Sequence, residues 1–255
     1  MRRRSLIAAG GLLMARWGSV SAGAGELTVL SLTSMQPVVD DLVRAFENAT
    51  GQTVAVKYTQ ASQLKARLHG PDHPDLVVAP AELIDLLDHE GAMQSGTRQP
   101  VGRVGVGVAV RRGDSGVRDF SSAARLRQAL MDAKSLVYAD PKDSAEGLRA
   151  RAVIDRLGLA AELRAKTQLG SGSNPIAAVG FGDAELGLHA IDRILGTPGL
   201  LLAAPVPAEL QEWTRYDAAM VVEAANAADA RRLMQFLASD ASKLRLSVRG
   251  IEPAL

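Results

Sequence analysis

Four polar loops contain the residues of this chain that could bind a small ligand. Each loop follows a short apolar run and precedes a helical pattern, so it lies where the first backbone N–H groups of a helix have no partner inside that helix. Such N–H groups favour anions and carboxylates. A single loop of this kind is an ordinary helix start, but four of them around one point would form a binding site. The four loops are residues 31–37, 59–63, 140–147 and 170–175.

Two histidines, His69 and His73, have the i, i+4 spacing of a metal-binding pair on a helix. Gly70, Pro71 and Pro74 lie between or beside them and exclude a helix there. We therefore expect a solvated turn at these histidines and predict no metal site.

Other patterns of reactive residues do not indicate catalysis or a bound cofactor. The chain has no G-x-S-x-G nucleophile motif, and the glycines of residues 102–107 have the wrong spacing for a dinucleotide-binding loop. Asp140, Asp143 and Glu146 form the one acidic cluster suited to an enzyme, and the same residues suit a charged helix start. We therefore predict a binding protein with no catalytic residues and no cofactor.

The composition is typical of a folded globular protein and argues against several partners. The 255 residues are 47% hydrophobic, 4% aromatic and 22% charged, and cysteine is absent. Without cysteine the chain has no disulfides and no thiolate ligands. Downstream of the N-terminus no cluster of Lys and Arg could neutralise a row of phosphates, so we predict no nucleic-acid partner.

The first 24 residues have the order of a secretory signal. Arginines at positions 2–4 precede a short apolar run over 6–15, and small residues follow near 22–24. The apolar run is about half as long as the roughly 20 residues that span a membrane. We predict export to the periplasm by the Sec or the twin-arginine route, with removal of residues 1–24. Taking four arginines from the 29 basic residues leaves 25 against 28 acidic ones, so the mature chain has a formal charge of −3.

Apolar, β-branched runs alternate with helical patterns along the rest of the chain, which predicts an α/β fold with largely parallel sheets. Two long runs, 104–112 and 218–224, contain no turn signal. We predict two interwoven α/β lobes that are joined by these two crossover strands and enclose a cleft. Lobe one would hold residues 25–104 and 216–255, and lobe two would hold residues 105–215.

The remaining elements follow from the same patterns. The other predicted strands are 27–30, 53–58, 75–80, 135–140, 185–190 and 200–206. The predicted helices are 35–48, 62–68, 82–90, 121–133, 144–157, 175–181 and 228–239, with a further segment to 248.

Five segments combine these patterns in a fairly specific order and spacing. They are LTVLSLTSMQPVVDDLVRAFENATG, PDLVVAP, ADPKDSAEGLRARAVIDRLGL, ELGLHA and VVEAANAADARRLMQFLASDASKLRLSVRGIEP. Together they resemble the molybdate-binding proteins of ABC importers, which are type II periplasmic binding proteins, over nearly all of the chain after the signal. The resemblance implies two lobes that close on a ligand and a protein that works with the membrane permease subunits of an ABC importer.

The resemblance also implies which residues bind the ligand. The first serine ligand of the family falls on Ser34. The second falls on Ala61, with Ser62 beside it. Only the first of these two positions keeps the hydroxyl.

Three further contacts of the family fall on residues of other types. Two contacts that the family makes through its backbone fall on Glu146 and near Asn174, and the tyrosine that completes its oxyanion cage falls on Ala190. A carboxylate opposes a bound dianion, and each lost hydroxyl removes a hydrogen bond. We therefore expect a ligand larger than a bare tetrahedral dianion, with a hydroxyl or amine that pairs with Glu146.

The expected function is that of an extracytoplasmic monomer that delivers a small molecule or an oxyanion of the molybdate and tungstate type to an ABC importer. Two alternatives stay open. The protein could be an exported sensor or another non-transport binding protein of the same fold for a larger organic solute. It could also be an exported enzyme without a cofactor, in which case reactive groups should converge in the cleft.

Overall fold

The computed structural model describes residues 26–70, 73–116, 118–142, 144–172 and 174–254. The predicted signal over 1–24 and the acidic residue Asp143 lie outside these residues. In the described parts the chain forms an α/β fold of ten strands and nine α-helices, joined by loops and short 3₁₀ turns.

Strands and helices alternate along the chain as the sequence predicts. The strands are β1 (Leu27–Leu32), β2 (Val54–Thr59), β3 (Leu76–Pro80), β4 (Gln99–Arg111), β5 (Leu136–Ala139), β6 (Thr167–Gly170), β7 (Leu186–Ala190), β8 (Leu200–Pro205), β9 (Trp213–Met220) and β10 (Glu252–Pro253). The helices are α1 (Gln36–Thr50), α2 (Leu64–Leu68), α3 (Ala81–His89), α4 (Ala123–Asp132), α5 (Ala145–Arg156), α6 (Ala177–Phe181), α7 (Ile191–Gly196), α8 (Ala227–Leu237) and α9 (Asp240–Val248).

The long strand β4 belongs to two sheets and joins the two lobes. Its residues 99–105 pair antiparallel with β9, in a first sheet of order β2-β1-β3-β9-β4. Its residues 106–111 pair with β7 and β8, in a second sheet that continues from β7 to β5 and β6. The predicted class of fold, two interwoven α/β lobes with crossover strands between them, is therefore confirmed.

The side chain of Gln211 holds the point where β4 leaves one sheet for the other. Its Oε1 accepts a hydrogen bond from the N–H of Val106 at 2.6 Å, and its Nε2 donates to the C=O of Val106 at 3.0 Å. The same Nε2 donates to the C=O of Val206 at 3.1 Å. Gly105 leaves the space for this side chain, because a Cβ at residue 105 would lie 2.7 Å from Gln211 Cδ. One glutamine thus ties the outgoing chain to the returning chain.

Each lobe has its own apolar core, built by the spacing of its helices. In α1, Val39, Leu42 and Phe46 recur on one face and pack against the first sheet, as predicted. The helix ends at Gly51, which adopts φ 72° and donates its N–H to the C=O of Glu47. A second core lies between α4, α5 and the second sheet.

Both crossover strands differ from their predicted bounds. The strand predicted at 104–112 begins at Gln99, because its first residues complete the ladder with β9. The strand predicted at 218–224 is β9, which begins at Trp213 and ends at Met220. Residues 222–226 form turns, and the N–H of Asn226 bonds to Asp75 Oδ1 at 2.7 Å. The predicted lobe boundaries at 104/105 and 215/216 stay predictions.

Three short elements were not predicted. The strands β6 and β10 have four and two residues and contain no apolar run. Helix α7 has six residues and follows β7 without a loop. Its start has no sequence signal, because Ile191 continues the apolar run of β7.

Among the described residues, no helix has the length and apolar character needed to cross a membrane.

Candidate functional site

The carboxyl ends of β1, β5 and β7 meet in the cleft between the lobes, and each is followed by a helix or 3₁₀ turn. Ser34 lies in the turn Thr33–Met35 after β1, and its C=O accepts a hydrogen bond from Arg193 Nη2 on α7 at 3.1 Å. Glu146 and Ala190 line one narrow cavity beside the crossover strands. This part of the cleft therefore combines residues from both lobes.

Asn174 is connected to the same region through α7. Its Nδ2 donates to Thr197 Oγ1 at 3.2 Å, and Thr197 Oγ1 donates to the C=O of Arg193 at 2.7 Å. The side chain of Asn174 thus holds the end of α7. Four of the six predicted ligand residues, Ser34, Glu146, Asn174 and Ala190, are therefore grouped around β7 and α7.

Ala61 and Ser62 lie in an exposed 3₁₀ turn, Ala61–Gln63, at the end of β2. This turn is next to the turn of Ser34, because Leu32 of β1 pairs with Thr59 of β2 and Thr33 Oγ1 donates to the C=O of Thr59 at 3.4 Å. Neither Ser34 nor Ser62 caps the helix that follows it, because a 3₁₀ turn precedes each helix and the cap residues Met35 and Gln63 make no side-chain cap bond.

Glu146 is held at the start of α5 as a carboxylate. Ser144 caps this helix through a hydrogen bond from the N–H of Gly147, and its hydroxyl donates to Glu146 Oε2 at 2.8 Å. Burial alone would raise the pKa of Glu146, but this hydrogen bond, the helix N–H groups and the nearby His189 and Arg149 lower it below its ordinary value. Glu146 therefore carries a negative charge in the cleft at neutral pH.

His189, the last residue but one of β7, is a buried neutral imidazole. Its Nδ1 accepts a hydrogen bond from the N–H of Ala190 at 2.9 Å, so the ring proton is on Nε2. Burial lowers the pKa of His189 to about 4, against the opposing effect of Glu146, while Arg193 lowers it further. At neutral pH the ring can donate from Nε2 but does not add charge to the site.

Asp192, in the first turn of α7, has an acidity different from that of Glu146. Burial raises its pKa from the ordinary 3.8 to about 6, and the negative charge of Glu146 adds to this increase. The hydrogen bond from the N–H of Arg193 to Asp192 Oδ1, at 2.8 Å, and the charge of Arg193 oppose it. Two carboxyl groups near each other with pKa values pushed apart are typical of acid–base sites.

A tyrosine reaches this cluster from β9, although the expected position 190 is an alanine. Tyr216 is buried, and burial together with the charges of Asp192 and Glu146 raises the pKa of its hydroxyl well above the ordinary value. The phenol therefore stays neutral and can donate a hydrogen bond. We call Glu146, His189, Asp192, Arg193 and Tyr216 the cleft cluster.

The sequence singled out Glu146 in this cluster and grouped it with Asp140 and Asp143. Asp140 accepts the N–H of Lys142 at 2.9 Å and stabilises its own turn, and Asp143 is outside the described residues. The second acid is Asp192, which is 46 residues further along the chain. The sequence does contain a signal for this site, because Asp192 and Arg193 follow the end of β7 directly. It was not recognised because helix α7 was not predicted.

A groove of about 680 Å³ opens on the α7 side of the cluster. Asp192 reaches it, together with Asp41 of α1 and residues of α9. A volume of this size can hold a small organic ligand. The lining residues are Asp41, Asp192, Leu195, Gly196, Ala241, Leu244, Arg245, Val248 and Arg249.

Within the described ranges no three or more His, Asp or Glu side chains stand close enough together to bind a metal ion. His69 and His73 are exposed at the turn after α2, in agreement with the expectation of a solvated turn.

Two α/β lobes with crossover strands and a polar cleft define a periplasmic binding protein of type II. The chain belongs to the bacterial extracellular solute-binding protein family, whose model matches residues 27–250. The resemblance to molybdate-binding proteins is confirmed at the level of the fold. The substrate-binding domain assigned to a molybdenum ABC transporter of Clostridium difficile superimposes with a TM-score of 0.78 at 16% identity, covering 90% of this chain and 99% of that one.

Two other comparisons extend this result in different directions. The periplasmic molybdate-binding protein of Azotobacter vinelandii has a TM-score of 0.72 at 17% identity, covering 90% of this chain and 100% of that one. In sequence, the chain is 27% identical to an aconitate isomerase of a Pseudomonas species over 98% of this chain and 97% of that protein. The structural similarity to the molybdate-binding protein shows the fold alone. The sequence similarity is to a protein that is named as an enzyme.

Asp192→Asn should stabilise the protein at pH 7.5 by about 1–2 kcal/mol, because the native carboxyl is charged there in a site that disfavours charge. The folded state keeps this proton up to about pH 6, whereas the unfolded chain loses it near 3.8. The stability that Asp192 contributes is thus complete below about pH 4 and lost as the pH rises through 6. Thermal unfolding of both proteins from pH 4.5 to 7.5 should show the advantage of Asn growing with pH.

The matched control is Asp132→Asn at the exposed end of α4, which should give no gain that depends on pH. An equal effect of Asp192→Asn at pH 4.5 and 7.5 would contradict the raised pKa of Asp192.

Proposed function

We propose that the protein is a periplasmic solute-binding protein whose ligand is a small organic polycarboxylate, and that it delivers this ligand to the permease subunits of an ABC importer. The observation that carries the proposal is the cleft cluster, in which the charges of Arg193 and Glu146 both act on Asp192. The family supports small-solute binding outside the cytoplasm, and export of the mature chain after removal of residues 1–24 belongs to the same proposal.

The charges of the cluster suit an extended anion better than a compact one. A tetrahedral dianion concentrates its charge around one atom, so each bound oxygen would also meet the ionised Glu146. A polycarboxylate spreads its charges over several groups. One carboxylate can then pair with an arginine while uncharged carbons or hydroxyls face Glu146 and Asp192.

The relative named aconitate isomerase supports this ligand class, because aconitate is an unsaturated tricarboxylate and the two chains match over nearly their whole lengths. The residue types at Ala61 and Ala190 also support a polycarboxylate ligand, since neither has the hydroxyl that a bound oxyanion would need. Both are still proposed to lie near the ligand, together with Ser34, Ser62, Glu146 and Asn174.

Calorimetric titration of the mature protein tests the ligand class. We expect trans-aconitate, cis-aconitate or the saturated tricarballylate to bind with a dissociation constant of about micromolar, and molybdate, tungstate and sulfate to give no heat. Glu146→Ala removes the repelling carboxylate and should make sulfate binding measurable in the same titration. Submicromolar molybdate binding, with no response to the three acids, would refute the proposal.

Isomerisation of aconitate is a second candidate function, favoured by the relative's name and by the unequal pair of acids. Conversion between the cis and trans forms can proceed by loss of a proton from the methylene carbon and return of a proton to the vinylic carbon. The double bond shifts in the process, so no oxidant, reductant or cofactor is consumed. Glu146, ionised at neutral pH, could remove the proton, and Asp192, with a pKa near 6, could carry one.

Proton NMR of trans-aconitate with the protein in D₂O separates the two functions. An isomerase should convert it to cis-aconitate with uptake of deuterium, and Glu146→Gln should slow this conversion at least a hundredfold. The matched control is Glu223→Gln, an exposed residue after β9, which should leave the rate unchanged. Saturating ligand without conversion or exchange over a day would exclude the isomerase and leave the binding function.

A further inference from the structure

Arg193 joins the two lobes through a single hydrogen bond of its guanidinium. The residue lies on α7, in the lobe of the second sheet, and its Nη2 donates to the C=O of Ser34 in the first lobe at 3.1 Å. These two residues are 159 positions apart in the chain. Any change in the distance between the lobes must therefore stretch or break this bond.

A second arginine also crosses the cleft, but its donors are already occupied. Arg149 on α5 donates from Nε to the C=O of Trp213, from Nη1 to the C=O of Ala145 and from Nη2 to Glu82 Oε1 on α3. All three nitrogens of this guanidinium have protein acceptors. Arg149 is thus a structural link between the lobes.

The guanidinium of Arg193 differs because two of its nitrogens have no acceptor among the described residues. No Asp or Glu in those parts of the chain lies within ion-pair distance of it, and the adjacent Asp192 bonds to the backbone N–H of Arg193 instead. Its charge contributes to the pKa shifts of His189, Asp192 and Tyr216, so the guanidinium is near these three residues. Nε and one Nη together form the planar pair of donors that matches a carboxylate.

We propose that Arg193 binds one carboxylate of the ligand through Nε and Nη1 while Nη2 stays on the C=O of Ser34, so that carboxylate binding holds the lobes closed. This inference rests on the proposed polycarboxylate ligand. It makes Arg193 the residue that selects carboxylates over neutral solutes. It also couples selection to closure, because the bound anion fixes the guanidinium in the orientation that reaches the first lobe.

The ligand is bound through the geometry of the Arg193 side chain as well as through its charge. A lysine at position 193 would keep the positive charge but offer a single point of contact. It could satisfy either the carboxylate or the C=O of Ser34, but it lacks the planar fork that satisfies both. Lysine and glutamine variants therefore separate the effect of charge from the effect of shape.

Titration of the native protein, Arg193→Lys and Arg193→Gln with tricarballylate and trans-aconitate tests the inference. Loss of a charge-assisted bidentate pair should weaken binding about a hundredfold in Arg193→Gln, and Arg193→Lys should fall between this variant and the native protein. The control Arg125→Gln, on α4, changes an arginine whose side chain is 68% exposed and should alter the dissociation constant less than twofold. Thermal unfolding checks that each variant is folded.

Tryptophan fluorescence measures closure in the same samples. Removal of residues 1–24 leaves Trp213 as the one tryptophan of the mature chain, at the start of β9 beside the crossover. We expect ligand to change its emission in the native protein and to have little effect in Arg193→Gln, even at ligand concentrations that saturate the variant.

The possible outcomes separate the two proposals. Native binding that Arg193→Gln keeps within threefold, or a full Trp213 response in the saturated variant, would overturn the role of Arg193 and leave the ligand class intact. No binding of any polycarboxylate to the native protein would overturn the ligand class, and the role of Arg193 with it.

Discussion

The passage of β4 from one sheet to the other is the constraint on which the rest of the molecule depends. A strand that changes partners leaves a backbone N–H and C=O without a ladder, and buried polar groups of this kind are costly unless they are bonded. The amide of Gln211 accepts from the N–H of Val106 and donates to its C=O, which also accepts from the N–H of Val206, and Gly105 leaves space for the amide. Because Gln211 lies on the returning chain, the two crossovers are fixed to each other at the floor of the cleft.

This arrangement brings the ends of β5 and β7 towards the first lobe, and so determines which charges meet in the cleft. Glu146 and Asp192 come from the starts of two different helices in the second lobe, while Tyr216 comes from β9 in the first sheet. The two arginines that face these acids also contact the first lobe, through Glu82 and Ser34. The cleft thus contains opposite charges that are close to balance, and the guanidinium of Arg193 keeps nitrogens without an acceptor among the described residues.

The sequence was sufficient for the class of fold and for most of the elements. The spacing of apolar residues predicted helix α1, and Gly51 predicted its end. Ser34 and Glu146 were found because ligand-binding loops follow the ends of strands, and both residues lie at the cleft. The starts of helices were less predictable, because the 3₁₀ turns after β1 and β2 have no clear signal. Helix α7 was missed because Ile191 continues the apolar run of β7.

The partners of Glu146 could not be predicted because they are distant in sequence. Asp192 and Arg193 follow a different strand, and Tyr216 is on the returning crossover. Nothing in a local pattern reports that burial raises the pKa of Asp192 or lowers that of His189, since both shifts arise from contact between separate elements. The fold was therefore readable from local patterns, whereas the chemistry of the cleft required the tertiary structure.

A crystal structure of the mature protein grown with trans-aconitate would show where a polycarboxylate binds and with which residues. We expect ligand density between the lobes, with one carboxylate on the guanidinium of Arg193, the Arg193–Ser34 bond intact, and carbon atoms of the ligand facing Glu146 and Asp192. Density for the acid outside the cleft, for example in the groove between α7 and α9, would contradict it. A cleft that instead held a tetrahedral oxyanion bound by Ser34 would contradict it as well.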